Sequence, residues 1–225
     1  MDQKKFKGVR IALAIVTAFS ALLAFAGCRK PQEEPPIVEV KNVDLYISMQ
    51  ENAADEDWTD RIRFEGLSEL NATTLADIPA DLTQGIGDKS DRTGRKYFAF
   101  SYYLYNHSER AISYEMCVNI ERSTGTILNA LRVLVVEGDK KITQGDIYAK
   151  PETTDEGRKV LEAHTDYKTQ PFESDKMVCK RSVSNFAQNT KVKHTLLVWI
   201  EGWDIDCNET MLASSVRMNI SITGA

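Results

Sequence analysis

The sequence predicts an all-β protein, an antiparallel β-sandwich of jelly-roll type with minor helical insertions. About eight short segments rich in β-branched and aromatic residues are separated by polar turns, a spacing typical of sandwiches and barrels. In the clearest segments apolar and polar residues alternate with a period of two, which indicates strands with one buried and one solvated face. The regular crossover helices that a parallel α/β sheet needs are missing from the pattern.

The first strand-like segment covers residues 37–49, where β-branched residues alternate roughly with polar ones. Residues 50–96 are polar and rich in turn residues, and we interpret them as a surface insert with a short helical candidate near 73–82. Residues 37–225 are therefore predicted to form a single β-sandwich domain that carries this insert.

The strongest strand signal begins at Tyr97. Between residues 112 and 120, Ile, Tyr, Met and Val alternate with Ser, Glu, Cys and Asn, which predicts a strand with one solvated face. Residues 131–136 form a continuous apolar run of the buried type, and the charged residues 152–167 are the candidate for a helical turn. The remaining predicted strands cover residues 97–105, 142–149, 176–183, 195–201 and 215–223.

The N-terminus reads as an export signal. Four basic residues precede the apolar run 11–26, which is shorter than the ~20 residues of a membrane-spanning helix. Ala24-Phe25-Ala26 fits ordinary signal cleavage, whereas Phe25-Ala26-Gly27-Cys28 resembles a bacterial lipobox and is favoured. We expect residues 1–27 to be a lipoprotein-type signal peptide, Cys28 to carry the lipid, and the Pro/Glu-rich residues 28–36 to be an extended tether.

This interpretation places the protein outside the cell, on the extracellular face of the membrane or the cell surface. Removal of residues 1–27 takes away four basic residues and one acid, so the formal net charge falls from −5 to −8. An acidic body lacks the basic footprint that binds nucleic acid, and anionic headgroups repel it. Attachment to a membrane would therefore come from the lipid anchor at Cys28.

Export permits disulfides, and three cysteines remain if Cys28 carries lipid. Cys179 with Cys207 is the preferred pair, because Cys207 follows a polar loop that a crosslink would fix. Three unpaired thiols, including Cys117, are the alternative, since spacing does not determine pairing.

Two groups of residues are candidates for binding. Glu201, Asp204 and Asp206 lie within six residues at a strand end, where oxygen ligands could gather a Ca²⁺ ion, or form a solvated acidic turn. Trp58 and Trp203 lie in polar segments and are candidates for contact with a partner or a sugar. No cofactor other than Ca²⁺ is indicated.

No catalytic motif emerges. His-Glu-x-x-His and Gly-x-Ser-x-Gly are both absent, and the three histidines are isolated in the sequence. We therefore expect a protein that is not an enzyme.

Several stretches nevertheless carry a family resemblance. A strand ending in Val-Trp-Ile-Glu-Gly (198–202) precedes an Asp-x-Asp-Cys loop (204–207) and a terminal alternating strand. Residues 103–106, 114–116 and 129–133 show a pattern of strand, Asn turn and Tyr-containing strand. Together they resemble the TasA/camelysin group of exported Gram-positive biofilm-matrix and spore-surface proteins, over residues 97–223 and weakly over 37–49.

The resemblance implies a jelly-roll fold and a surface or matrix role. In TasA-type fibres an N-terminal strand inserts into the next subunit, which implies residues 37–49 as the donor and self-association by strand addition. The leading hypothesis is thus a non-catalytic cell-surface lipoprotein that serves as a matrix or assembly subunit. The alternative is a surface β-sandwich that binds carbohydrate or another ligand. A metallopeptidase, the label that camelysin-like proteins carry, ranks third.

Overall fold

The computed structural model describes residues 37–64, 70–85, 96–211 and 214–224, and all of them belong to one compact unit. The predicted signal peptide 1–27, the tether 28–36 and Cys28 lie outside these residues. None of the described helices is long and apolar enough to cross a membrane.

Eleven strands form the described part of the chain, and the all-β prediction is confirmed. They are β1 (Ile37–Lys41), β2 (Leu45–Ser48), β3 (Arg61–Arg63), β4 (Tyr97–Asn106), β5 (Ile112–Thr124), β6 (Leu131–Glu137), β7 (Asp146–Ala149), β8 (Thr169–Pro171), β9 (Met177–Phe186), β10 (Lys191–Ile200) and β11 (Ser215–Gly224). The short helices are α1 (Leu82–Gly85), α2 (Ile127–Ala130) and α3 (Asp155–His164). Single 3₁₀ turns cover Asp55–Asp57, Leu75–Asp77, Ile142–Gln144 and Glu209–Met211.

The strands form two sheets that pack face to face as a β-sandwich. Sheet A has the order β3-β1-β11-β5-β9, and sheet B has the order β2-β4-β10-β6-β7-β8. Both sheets are mixed, because β1 pairs with β11 and β7 pairs with β8 in parallel. All other strand pairs are antiparallel, as predicted, and these two pairs are the exceptions.

Residues 37–49 form two strands in opposite sheets, not one. Val38 and Val40 of β1 point into the core, and so do Leu45 and Ile47 of β2. The apolar positions therefore change from even to odd numbers across the intervening turn. A shift of this kind reverses the face that a continuous strand would bury, so the chain turns and crosses to the other sheet.

The main core fills the space between the sheets, and the central strands of sheet B are buried on both faces. Phe98 and Phe100 of β4 face sheet A, whereas Tyr97 and Ala99 face away from it. The same division holds in β6 and β10. This double burial explains why these strands have continuous apolar runs without alternation.

Part of the segment predicted as a surface insert covers the outer face of sheet B. Leu75, Ile78 and Leu82 are buried there and pack in a second apolar cluster with Leu197 and Trp199. In addition, β3 belongs to sheet A and pairs with β1. The description of residues 50–96 as a surface insert is therefore wrong for these parts, whose apolar side chains complete the sandwich.

Two sets of connections define the ends of the sandwich. The β4–β5 and β9–β10 connections meet at one end, which we call the Asn106 end, and the β5–β6 and β10–β11 connections meet at the other, the Glu201 end. Strand β1 starts at Ile37, opposite Asn219, and runs toward the Asn106 end, where Lys41 pairs with Thr223.

Candidate functional site

Glu201 lies at the end of β10 and is completely buried. Its carboxylate accepts hydrogen bonds from the Tyr167 hydroxyl, from Trp199 Nε1 at 3.1 Å and from the Trp203 backbone N–H at 3.2 Å. Three donors satisfy a buried carboxylate well. Burial and the neighbouring Glu201 raise the pKa of Tyr167, so its hydroxyl keeps the proton that it donates. The carboxylate of Glu201 is thus already hydrogen-bonded within the protein.

Asp204, three residues later, forms a buried ion pair with Arg132 of β6. Arg132 Nη2 lies 2.7 Å from Asp204 Oδ2, and both side chains are at most 3% exposed. Arg132 Nη1 also donates to the backbone carbonyl oxygens of Asn129 and Leu131, and Asp204 Oδ1 accepts from the Asp206 backbone N–H. The pair therefore ties the β10–β11 connection to the β5–β6 connection.

The acidic group that converges at this end differs from the predicted one. Carboxylate oxygens of Glu152, Asp204 and Asp206 lie within 4.8 Å of one another, and Glu201 is not part of that group. Glu152 also caps its own loop, because its Oε1 accepts from the backbone N–H and the hydroxyl of Thr154. Glu152 was missed because it lies 52 positions before Asp204, too far for spacing to indicate contact.

Trp203 remains partly in solvent at the Glu201 end, with 43% of its surface exposed. Its ring stacks on the imidazole of His164, the last residue of α3, with 3.9 Å between centroids and 7° between planes. Ile205 beside it is 40% exposed. Trp203 is thus a fixed aromatic side chain that a partner can reach.

Trp58 lies at the opposite end. Its ring centroid is 5.0 Å from that of Tyr105, and the ammonium of Lys191 lies 5.1 Å from the Trp58 centroid. Lys191 begins β10 and Trp203 follows its end, so the length of a ten-residue strand, about 30 Å, separates the two tryptophans. Trp58 and Trp203 therefore belong to two separate surfaces and cannot contact one small ligand together.

Asn106 holds the loops at its end together and is completely buried. Its Nδ2 lies within 3.1 Å of the carbonyl oxygens of Arg110, Phe186 and Ala187, and its Oδ1 accepts from the backbone N–H and hydroxyl of Ser108. One neutral side chain thus links the β4–β5 and β9–β10 connections.

A polar cluster lies inside the sandwich around His194. The ring centroid of His194 lies 5.4 Å from that of Tyr102, with the planes tilted by 32°. Its Nε2 is 3.5 Å from the Tyr114 hydroxyl, while its Nδ1 is buried without a partner. Desolvation, with a smaller contribution from the charge of Arg181, lowers the pKa of His194 to about 4. The imidazole is therefore neutral at neutral pH.

Cys117, Cys179 and Cys207 are free thiols, so the predicted Cys179–Cys207 disulfide is absent and that prediction is corrected. Burial raises the pKa of Cys179 to about 11 and also raises the pKa values of Cys117 and Cys207. Since the thiolate is the form that reacts in disulfide exchange, these environments suit inert, protonated thiols.

The three histidines occupy different places: the Asn106 end, helix α3 and the core. The group of potential metal ligands that converges within the described ranges contains carboxylates alone. The geometry thus offers partner surfaces and structural polar networks. No family model, curated protein or solved structure matches the chain.

Proposed function

We propose that the chain is a non-catalytic, exported cell-surface lipoprotein whose sandwich serves as a matrix or assembly subunit, similar to the TasA/camelysin group. The observation that carries the proposal is the placement of β1. This five-residue strand starts directly after the segment proposed as a tether and occupies a position between β3 and β11. Besides its pairing with β3 and β11, β1 contributes Val38 and Val40 to the core, and an identical strand from a second copy would fit the same position.

The strand order supports a jelly-roll type of sandwich. Within sheet A the neighbours β1-β11-β5-β9 and within sheet B the neighbours β4-β10-β6-β7 follow the arrangement of eight strands in two four-stranded sheets. Consecutive strands from β1 to β6 alternate between the sheets, as the crossing connections of that fold require. The parallel pairing of β1 with β11 departs from an all-antiparallel jelly roll.

A non-catalytic role is supported by how the polar side chains are used. Glu201 accepts a hydrogen bond from Trp199, and Asp204 forms an ion pair with Arg132. His194 lies in the core next to Tyr102 and Tyr114. A metallopeptidase is the least supported candidate. Casein hydrolysis that a chelator abolishes would replace the present proposal with that one.

Two measurements test the exported lipoprotein. Mass spectrometry of the mature protein should find a diacylglyceryl-modified Cys28 as its first residue. An unmodified N-terminus after Ala26 would support ordinary secretion, and an intact residue 1 in the cytosol would contradict export altogether.

A covalent lock tests assembly by strand exchange. Glu39 of β1 and Arg61 of β3 face each other across an antiparallel pair and form an ion pair on the outer face of sheet A. The double variant Glu39→Cys/Arg61→Cys should form a disulfide that keeps β1 in its own subunit. We expect size-exclusion chromatography and electron microscopy to show assemblies for the unmodified chain and for the reduced variant only.

The single variant Glu39→Cys is the matched control, and it should assemble with or without reductant. A strictly monomeric unmodified protein at high concentration would rule out the assembly role while leaving the lipoprotein assignment intact. The alternative function, ligand binding by a surface sandwich, is favoured by one observation, the cluster of half-buried aromatic residues at the Asn106 end.

A further inference from the structure

Five side chains form a continuous aromatic surface at the Asn106 end. They are Tyr46, Trp58, Tyr105, His107 and Lys191, and we call them the Trp58 surface. Tyr46, Trp58 and Tyr105 are each half-buried, whereas His107 and Lys191 are exposed.

The backbone places these side chains side by side. Tyr46 of β2 pairs directly with Tyr105 of β4, and Tyr105 pairs with Lys191 of β10. The three side chains therefore follow one line across three adjacent strands, on the outer face of sheet B. Trp58 joins them because the next residue, Thr59, bridges to Ile47 of β2.

The rings also contact one another. His107 packs edge-on against Tyr46 at 5.8 Å and against Tyr105 at 5.5 Å between centroids. Trp58 and Tyr105 lie 5.0 Å apart with their planes at 45°. Such a cluster is preorganised, because each ring limits the rotamers of its neighbours.

Fixed polar groups surround the rings. The Lys191 ammonium donates to the Glu51 carbonyl oxygen at 2.7 Å and lies over the rings of Trp58 and Tyr105. The Tyr105 hydroxyl donates to Asn189 Oδ1. Buried Asn106, between Tyr105 and His107, anchors this part of the chain. Hydroxyl, amide, imidazole and ammonium groups thus border an aromatic surface.

The charges select the ligand. Lys191 already occupies the cation position over the Trp58 and Tyr105 rings, so a cationic ligand meets a like charge there. The exposed acidic run Asp55–Asp57 directly precedes Trp58 and repels a polyanion. Sugars without charge combine apolar C–H faces that stack on rings with hydroxyl groups that bond to polar borders.

We propose that the Trp58 surface binds an uncharged carbohydrate. The inference needs neither the lipid anchor nor assembly, and it deepens the alternative ligand-binding function by naming its site and ligand class.

The test uses residues 28–225, which contain every described residue, titrated with soluble laminarin, glucomannan and chitohexaose, and with polygalacturonate as the anionic comparison. We expect at least one uncharged glycan to bind with an affinity that added NaCl leaves unchanged. Trp58→Ala should weaken that binding by about tenfold or more, the effect of losing one aromatic stacking contact.

Trp203→Ala is the matched control, because it removes an exposed tryptophan at the other end of the sandwich. It should leave the affinity unchanged, and Tyr46→Ala should weaken binding independently of any folding defect in the Trp58 variant, with thermal unfolding measured for each. Failure of all three uncharged glycans to bind, salt-sensitive binding of polygalacturonate alone, or an equal loss in Trp203→Ala would each overturn the proposal. None of these outcomes depends on where Cys28 resides.

Discussion

At the Asn106 end one neutral amide ties the loops together, whereas at the Glu201 end a network of ionised side chains does so. Asn106 satisfies its donors and acceptor with backbone groups and a serine. The other network depends on Arg132 and two carboxylates. A buried amide that loses a partner leaves polar groups unpaired, but a buried ion pair that loses a partner leaves a charge. The two ends should therefore respond differently to substitution and to solution conditions.

The largest effect is expected at the Glu201 end, for Arg132→Met. This change removes the guanidinium and leaves Asp204 buried without its cation, which should lower the free energy of unfolding by about 3–5 kcal/mol. Urea denaturation measures the loss. The double variant Arg132→Met/Asp204→Asn removes the charge as well and should recover most of it. A loss below about 1 kcal/mol in the single variant would mean that the pair behaves like a surface ion pair.

The next largest effect is expected for Asn106→Ala at the other end. It leaves three carbonyl oxygens and the Ser108 groups without this partner, and we expect a loss of about 2–3 kcal/mol in the free energy of unfolding. Asn119→Ala is the matched control. Asn119 bonds to Asn219 and Ser221 on the solvated outer face of sheet A, where water replaces the lost bonds. Equal losses in the two variants would show that the buried bonds of Asn106 stabilise the fold no more than the solvated bonds of Asn119.

We expect acid to lower the free energy of unfolding, because His194 in the core near the Asn106 end must be protonated. Its pKa is about 4 in the folded protein, below the ordinary value of 6.5, so the unfolded chain binds more protons between these values. Stability is therefore complete above about pH 6.5 and falls as the pH drops toward 4, by about 2 kcal/mol between pH 7 and pH 5.

Tyr102 and Tyr114 flank His194, Arg181 lies farther away, and the exposed Glu137 of β6 is the cross-strand partner of His194. Desolvation is the main cause of the lowered pKa of His194, so burial dominates its response to acid. Urea denaturation of His194→Leu at both pH values is the comparison, and this variant should lose that part of the pH dependence. An unchanged pH dependence in the variant would assign the acid sensitivity to other groups.

Sequence patterns predicted the elements whose side chains alternate or form apolar runs. They failed where an element or site depends on contacts between residues far apart in the sequence. Strands β5 and β11 follow from alternation and β4 and β6 from continuous apolar or aromatic runs, and all four are confirmed within a few residues. The three-residue strands β3 and β8 have no local signal, because pairing with neighbours alone makes them strands.

The same limit applies to the sites. Asp204 was identified as a functional candidate from its neighbours Glu201 and Asp206, yet its main partner, Arg132, lies 72 positions away. Likewise, Trp58 was predicted as a candidate for contact with a partner, but Tyr46 and Lys191 join it only because β2, β4 and β10 are adjacent. The local sequence identifies candidate residues, and the strand order determines which of them are in contact.

The smallest effect is expected from calcium, and it sharpens the contrast between the ends. Glu152, Asp204 and Asp206 would attract Ca²⁺, but Arg132 already neutralises Asp204, and Thr154 uses one oxygen of Glu152. Millimolar CaCl₂ should therefore raise the melting temperature of the unmodified chain by less than about 1 °C. In Arg132→Met the freed carboxylate should make calcium stabilising, because the ion then replaces the missing cation. A shift of several degrees in the unmodified chain would instead establish a calcium site at the Glu201 end.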